Sequence, residues 1–299
     1  ETVVGYHSNY PLLEEEFEHL YTLIAMRLTI TVTKAALNKI AEPENEYHQI
    51  SALPAWGALK SWRNVNSEFA HFSFRKAGGF HAIPGPNVLP AVNIASLFPT
   101  VEYSQVQQVD MSVSSTWLGH EFEHSDLELS AYKLAKLQKD APESIIAGGY
   151  KEVRAIYSTD SYHIEGNNGP EYRTVHLGTD FWIDAGTPVH TPFDGEVVVC
   201  FDNAFDKDYG PTIIVKHVVD EVEFYLLYGH LSKDSLTHRI GDRVKAGDQI
   251  ATIGAPNENG NWVPHLHFQV IRNLLGNTTN FPGVARYDEM GVWEDLCPD

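Results

Sequence analysis

The chain has 299 residues, 43% of them hydrophobic and 20% charged, and its 21 Lys and Arg against 40 Asp and Glu leave a formal net charge of −19 with His neutral. That composition is globular and the length suits about two domains. The acidic excess argues against a nucleic-acid or anionic-membrane binder, and apolar runs such as 88–98, broken by Pro90 and Asn93, fall short of the roughly 20 residues that cross a bilayer. Cys200 and Cys297 are too few for a disulfide scaffold or a thiolate zinc site, which fits a reducing compartment. Glu1 stands without a preceding Met, so the chain reads as an excised fragment.

Residues 12–40 predict one long helix or a helix pair, because Leu13, Phe17, Leu20, Leu23, Ile24 and Leu28 recur at three- and four-residue spacing. The β-branched run 29–33 is less helical, and the pattern resumes at Lys34. A second helix opens at 51–54 and is expected to carry Trp56, Leu59 and Trp62 inward. Residues 71–154 read as a connecting region without a clear core of its own, with a strand over 103–111 and a helix over 127–137. From residue 155 the texture turns to β: 175–183, 195–201, 212–218, 223–230, 249–253 and 266–271 are β-branched or aromatic runs bounded by turn residues. Two turns share a theme, Gly186-Thr187-Pro188-Val189 and Gly241-Asp242-Arg243-Val244, each with a glycine opening the turn and a valine pointing inward. Residues 276–299 read as an irregular tail.

Three segments carry candidate chemistry. His176 and Asp180 lie four apart, on one face of an extended chain, where imidazole and carboxylate can reach one zinc ion at about 2.0–2.2 Å. Gly178 between them is expected to leave room for the metal. His265 and His267 flank Leu266, so both rings share a strand face and one can bind metal while its neighbour stands beside it. Tyr228-Gly229-His230 ends an apolar strand and places His230 at a rim facing a substrate.

These segments, with the two glycine hairpins, resemble the lysostaphin- and LytM-type zinc metalloendopeptidases over residues 155–275. The resemblance implies an α+β chain: an N-terminal helical segment, then an antiparallel β domain of the lysostaphin-like, duplicated hybrid motif type. It implies His176, Asp180 and His267 as ligands of Zn2+, with His265 and His230 as unligated catalytic histidines. His265, beside the metal, is expected as general base and His230 as the group that hydrogen-bonds the oxyanion or orients the water, roles that sequence leaves exchangeable. Tyr228, Trp262 and Arg173 are candidate substrate contacts. The loop 158–171, with His163 and Asn168, is a candidate lid or source of a fourth ligand. The implied activity is hydrolysis of a peptide bond, peptidoglycan-like or glycine-containing, by a metal-activated water. The alternative is a non-catalytic zinc- and peptide-binding module of the same fold.

Two rivals are weaker. His120-Glu121-Phe122-Glu123-His124 satisfies His-Glu-x-x-His but lacks an amphipathic helical context. Lys245 lacks the flanking methionines of a carrier-domain lysine. Residues 1–70 resemble the C-terminal helical end of an aminoglycoside-phosphotransferase-like kinase lobe, through Gly5-Tyr6-His7, Ala25-Met26-Arg27-Leu28 and Glu42-Pro43-Glu44-Asn45-Glu46-Tyr47. Such lobes joined to a lysostaphin-like domain resemble large proteins that continue into a class III aminotransferase. That resemblance implies flanking modules as partners and a cytoplasmic location.

Overall fold

A computed structural model describes the chain except for residues 87, 119, 167 and 168 and the side chains of Glu121 and His124. It divides into two compact units, Glu1–Pro84 and Gly85–Asp299. The boundary therefore falls after the fourth helix, beyond the residue 70 taken from sequence texture.

The first unit is helical: α1 (Thr2–Asn9), a 3-10 turn at Glu14–His19, α2 (Leu20–Ala41), α3 (Ala52–Trp62) and α4 (Ser67–Ala77). The β-branched run stays inside α2. The Thr29 and Thr31 hydroxyls donate to the carbonyls of Ala25 and Arg27 at 2.8 and 3.0 Å, so they back-bond to the helix rather than compete with it. Tyr21 and Trp62 stack at 5.1 Å, and α4 is capped by Asn66, whose side chain accepts from Phe69 N. Trp56 corrects the sequence reading, because it is 46% exposed and the buried α3 residue is Ala55. The stretch Glu14–Ala41 also corrects the apolar-run argument: it is 28 helical residues, long and apolar enough by length and composition to cross a membrane. Counting uninterrupted apolar runs missed it because the mean hydropathy of 1.3, reached over an 18-residue window, is spread among polar positions.

The second unit contains the short helices α5 (Ile94–Leu97) and α6 (Glu121–Ser125), the longer α7 (Leu127–Asp140), and α8 (Met290–Leu296) near the end of the chain. Its strands are β1 (Gln105–Gln108), β2 (Ser144–Gly148), β3 (His163–Gly166), β4 (Gly169–Tyr172), β5 (Val175–His176), β6 (Thr179–Trp182) and β7 (Pro188–His190). They continue with β8 (Gly195–Asn203), β9 (Gly210–Val219), β10 (Val222–Gly229), β11 (Arg243–Val244), β12 (Gln249–Thr252), β13 (Leu266–Ile271) and β14 (Val284–Ala285). An eight-stranded sheet runs in the order β1-β2-β6-β13-β10-β9-β8-β11, antiparallel except for the β1–β2 pair. The α+β class read from sequence is what the chain forms.

The region around residues 85–154 is not a bare connector. β2 pairs with β6, and Leu97, Phe98, Ile145 and Ala147 join Ile213, Leu226 and Leu266 in the main core. Short strands of this kind carry little periodicity, and they gain their stability by docking on a longer neighbour. Val189 and Val244 are both buried, and Gly186 and Gly241 open their turns with φ of +83° and +94°, conformations that favour glycine.

Sheet register builds the site. His267 lies opposite Asp180 across β13–β6 and opposite Gly229 across β13–β10, while Gly148 on β2 lies opposite Asp180. A row of four adjacent strands therefore carries two chemical side chains flanked by two glycines. Alternation sends their neighbours Leu266, Phe268 and Phe181 to the other face and into the core.

Candidate metal centre

His176 ends β5, which pairs with β14, whereas Asp180 lies in the main sheet. The chain leaves one sheet and enters the other within four residues, and both side chains still converge. His176 Nε2 stands 3.3 Å from Asp180 Oδ1 and 2.9 Å from His267 Nδ1, and His267 Nδ1 stands 3.2 Å from Asp180 Oδ1. Four donors in a tetrahedron around zinc, at the usual bond length, stand about 3.4 Å apart. The three protein atoms already form a triangle of nearly that size, and all three residues are buried.

Proton bookkeeping decides what this triangle can hold. His176 Nδ1 faces the carbonyl of Gly149 at 3.0 Å, so Nδ1 carries the proton and Nε2 a lone pair. Gln269 donates its amide to the Pro282 carbonyl, which leaves its Oε1 to accept from His267 Nε2 at 3.0 Å. His267 Nδ1 therefore also presents a lone pair. Burial pushes the His176 imidazole down to about 4, so it is neutral near pH 7. Burial alone would raise the pKa of Asp180, but the facing His176 and Arg154 hold it well below the usual carboxylate range. Two nitrogen lone pairs and a carboxylate oxygen thus point at one spot with no proton between them, an arrangement that suits a cation.

Two further imidazoles stand alongside. His265 Nε2 lies 3.9 Å from Asp180 Oδ1, its ring stacks on Trp182, and its Nδ1–H donates to the Val263 carbonyl at 2.7 Å. The His230 ring is centred 4.3 Å from that of His265, and its Nδ1–H donates to the Asn259 carbonyl at 2.9 Å. His230 has φ +61°, an uncommon conformation for a non-glycine residue, at the point where β10 ends and the chain turns. Burial lowers the pKa of both rings, for His230 well below the usual value with His265 and His267 adding to the effect. Each is therefore neutral near pH 7 with an unprotonated Nε2. All five groups line a cavity of about 570 Å³.

Trp262 and Arg173 also line this cavity; the Trp262 ring lies 5.8 Å from His230, and Arg173 donates to the Ser161 carbonyl beside Tyr162. Tyr228 does not fit its expected role. It is fully buried and packs on Phe268, because its position opposite Phe268 puts it on the core face of the sheet while Gly229 occupies the site row. Gly178 acts differently from expectation: a Cβ there would stand 2.5 Å from His267 Cε1, so the space it leaves is filled by the His267 ring. His163 stays on the β3–β4 hairpin, facing Glu165 and Tyr172. Asn168 lies outside the described residues. Of the rival motif, His120 precedes the single helical turn α6 and stacks on Phe122, and the side chains of Glu121 and His124 lie outside the described residues.

Sequence reasoning missed the groups behind the donors. Gln269 was legible as the next same-face position after His267. Arg154 and Glu152, in one turn before β5, Tyr209, whose ring packs on His267 at 5.1 Å, and Asn259 were not, since they come from loops far in sequence from the donors they support. Asn259 is fully buried, and its side chain ties Gly254 O, Trp262 N and Trp262 O together, which holds the carbonyl that orients His230.

Residues 174–280 match the model of Peptidase family M23. A glycyl-glycine endopeptidase, ALE-1 of Staphylococcus capitis, is 36% identical over 104 residues, which is 35% of this chain and 26% of that protein. Peptidoglycan DD-endopeptidase ShyB of Vibrio cholerae is 29% identical over 180 residues, 54% of this chain and 40% of that protein. The chain thus spans well under two thirds of the length of these relatives. Among solved structures, the catalytic domain of lysostaphin from Staphylococcus simulans is 26% identical, covering 50% of this chain and 93% of that one with a TM-score of 0.31. All five histidine and aspartate positions described above fall inside the segment that matches Peptidase family M23.

Proposed function

We propose that this chain carries a zinc-dependent endopeptidase domain that hydrolyses a peptide bond in a peptidoglycan-like or glycine-containing peptide. The reading is carried by the three unprotonated donor atoms of His176, Asp180 and His267, which converge within 4.8 Å of one another. The match to Peptidase family M23 and the peptide-cleaving relatives support it. His176 Nε2, Asp180 Oδ1 and His267 Nδ1 would hold the ion. Bound there, zinc would supply a water with its pKa lowered to about 7 and would polarise the scissile carbonyl.

The chain's own residues do the rest. His265 is the general base: its Nδ1–H is committed to Val263 O, and its Nε2, with no hydrogen bond among the described residues, stands 3.9 Å from Asp180 Oδ1 in the donor triangle. Having taken a proton at Nε2, it can return that proton to the departing amine. His230 has the same tautomer, so as a neutral ring it accepts rather than donates at Nε2. Orienting the attacking water suits it better than binding an oxyanion, a donor's role that it fills only once protonated. Trp262 and Arg173 form the walls along which the peptide lies.

We further read residues 1–70 as the end of a phosphotransferase-like lobe in a chain that continues into an aminotransferase, with the peptidase domain working in the cytoplasm. The short motifs quoted for that resemblance are its support.

The test is metal analysis of the purified chain together with mass analysis of pentaglycine and peptidoglycan stem peptides after incubation. One zinc per chain and a newly exposed amine are expected. Zinc without cleavage of any peptide favours the non-catalytic module, and absence of stoichiometric zinc overturns both readings.

A further inference from the structure

Behind the donor triangle lies a buried guanidinium. Arg154 follows Val153, which bridges to Val175 next to His176, and its own backbone N–H donates to the Thr174 carbonyl. The side chain therefore runs under β5 towards Asp180. Arg154 Nη1 donates to Asp180 Oδ2 at 2.7 Å, and Nε donates to Glu152 Oε2 at 2.8 Å. Glu152 is fixed in turn, with Oε1 accepting from Met111 N at 3.1 Å and its carbonyl accepting from His176 N. The same turn supplies Gly149, whose carbonyl takes the His176 Nδ1–H. Gly149 has φ +114°, and a Cβ there would stand 2.4 Å from Arg154 Nη2 and 2.8 Å from His176 Nδ1.

From this geometry we infer that Arg154, braced by Glu152, is a positioning residue that turns Asp180 so that only Oδ1 reaches the metal. The inference rests on the zinc reading above. A carboxylate free to rotate can ligate through both oxygens and fill a second corner of the coordination sphere. With Oδ2 held by Nη1, Asp180 is confined to one bond, which keeps a corner for water and substrate. Glu152 serves a second purpose: it offsets the guanidinium charge, which on its own opposes binding of a dication. Lysine cannot replace the fork, because a single ammonium cannot hold Glu152 and Asp180 at two fixed angles at once.

Charge and geometry predict opposite signs. If Arg154 acted only as a nearby positive charge, removing it would tighten metal binding. If it orients Asp180, removing it weakens binding, by the roughly 10- to 100-fold typical of lost partners behind a metal ligand.

The experiment is zinc affinity by chelator competition, and the visible spectrum of the cobalt-substituted protein, for wild type, Arg154→Gln and Arg154→Lys. Expected are weaker zinc binding in both variants and a less intense cobalt spectrum, as a five-coordinate ion gives. If Arg154→Gln does not fold without metal, Arg154→Lys carries the test alone. Affinity and spectrum equal to wild type in Arg154→Lys, or tighter zinc binding in Arg154→Gln, overturns the inference. Failure of the wild type itself to bind zinc or cobalt refutes the metal reading instead, so the two failures are distinguishable.

Discussion

His265, just before β13, and His267, within it, are two residues apart yet do different work, and substitution separates them. His267 supplies a donor at Nδ1, so His267→Ala removes a corner of the triangle, and we expect loss of stoichiometric zinc by metal analysis after dialysis. His265 stands outside the triangle, so His265→Ala retains zinc while peptide hydrolysis falls by about 10²- to 10⁴-fold, the usual contribution of a positioned base. Equal zinc loss in both variants would refute the division of roles. Gly178 gives a subtler case at the same scale. An added methyl meets the His267 ring at 2.5–2.6 Å and the Phe268 carbonyl at 2.8 Å, contacts that only a shift of ring or strand relieves. Gly178→Ala is expected to weaken zinc binding and to lower stability by about 1–3 kcal/mol, as overpacking does. Unchanged affinity and unchanged thermal unfolding would show that the ring yields freely.

At the scale of elements, the long strands were readable, β1 and β12 fall inside expected strands, and other short strands such as β2 were not readable. β8, β9, β10 and β13 carry enough β-branched and aromatic residues, between glycine and aspartate turns, to declare themselves. β2 holds five residues and exists because β6 offers it an edge, which is long-range information. The donor set was legible for a related reason. His265 and His267 are a local spacing that extended chain converts into a shared face, whereas His176 and Asp180, also close in sequence, converge across the break between β5 and β6. Tyr228 shows the limit of that logic, because only the register with β13 decides which face its side chain takes. Arg154 lies 26 residues before Asp180 and reaches it through a bridge between β5 and the preceding turn, so no local pattern announces it.

His217 on β9 provides a pH test of the sheet away from the site. It is fully buried, and burial lowers its pKa below the ordinary 6.5. Its neutral form is favoured in the folded state, so the unfolded chain binds the extra proton. Stability from this residue is complete above about pH 6.5 and is lost as pH falls below it, at no more than about 1.4 kcal/mol per pH unit. Chemical unfolding of the metal-free protein between pH 8 and pH 5 should show a shallower acid slope in His217→Phe than in wild type. Identical slopes would mean that other groups govern the acid limb.

Taken as a whole molecule, the chain keeps its candidate chemistry in one of its two units. The three donors come from β5, β6 and β13, which are drawn from two sheets, so an ion bound among them ties together strands far apart in sequence. A ligand that binds only the folded state adds stability in proportion to its free concentration, about 4.1 kcal/mol at a thousand times its Kd. Thermal unfolding of residues 85–299 should therefore fall to lower temperature when a chelator is added and recover with added zinc. The helical residues 1–84 contribute no member of the donor group, so their unfolding should not respond to chelator. A chelator shift in their helical signal alone would be inconsistent with this assignment.

The most direct measurement is anomalous diffraction at the zinc absorption edge from crystals of the zinc-loaded protein. The expected result is one strong peak bonded to His176 Nε2, a single oxygen of Asp180 and His267 Nδ1, with a solvent molecule on the side facing His265 and His230. A peak at other residues, no peak, or a fourth protein atom closing the coordination sphere would contradict the account.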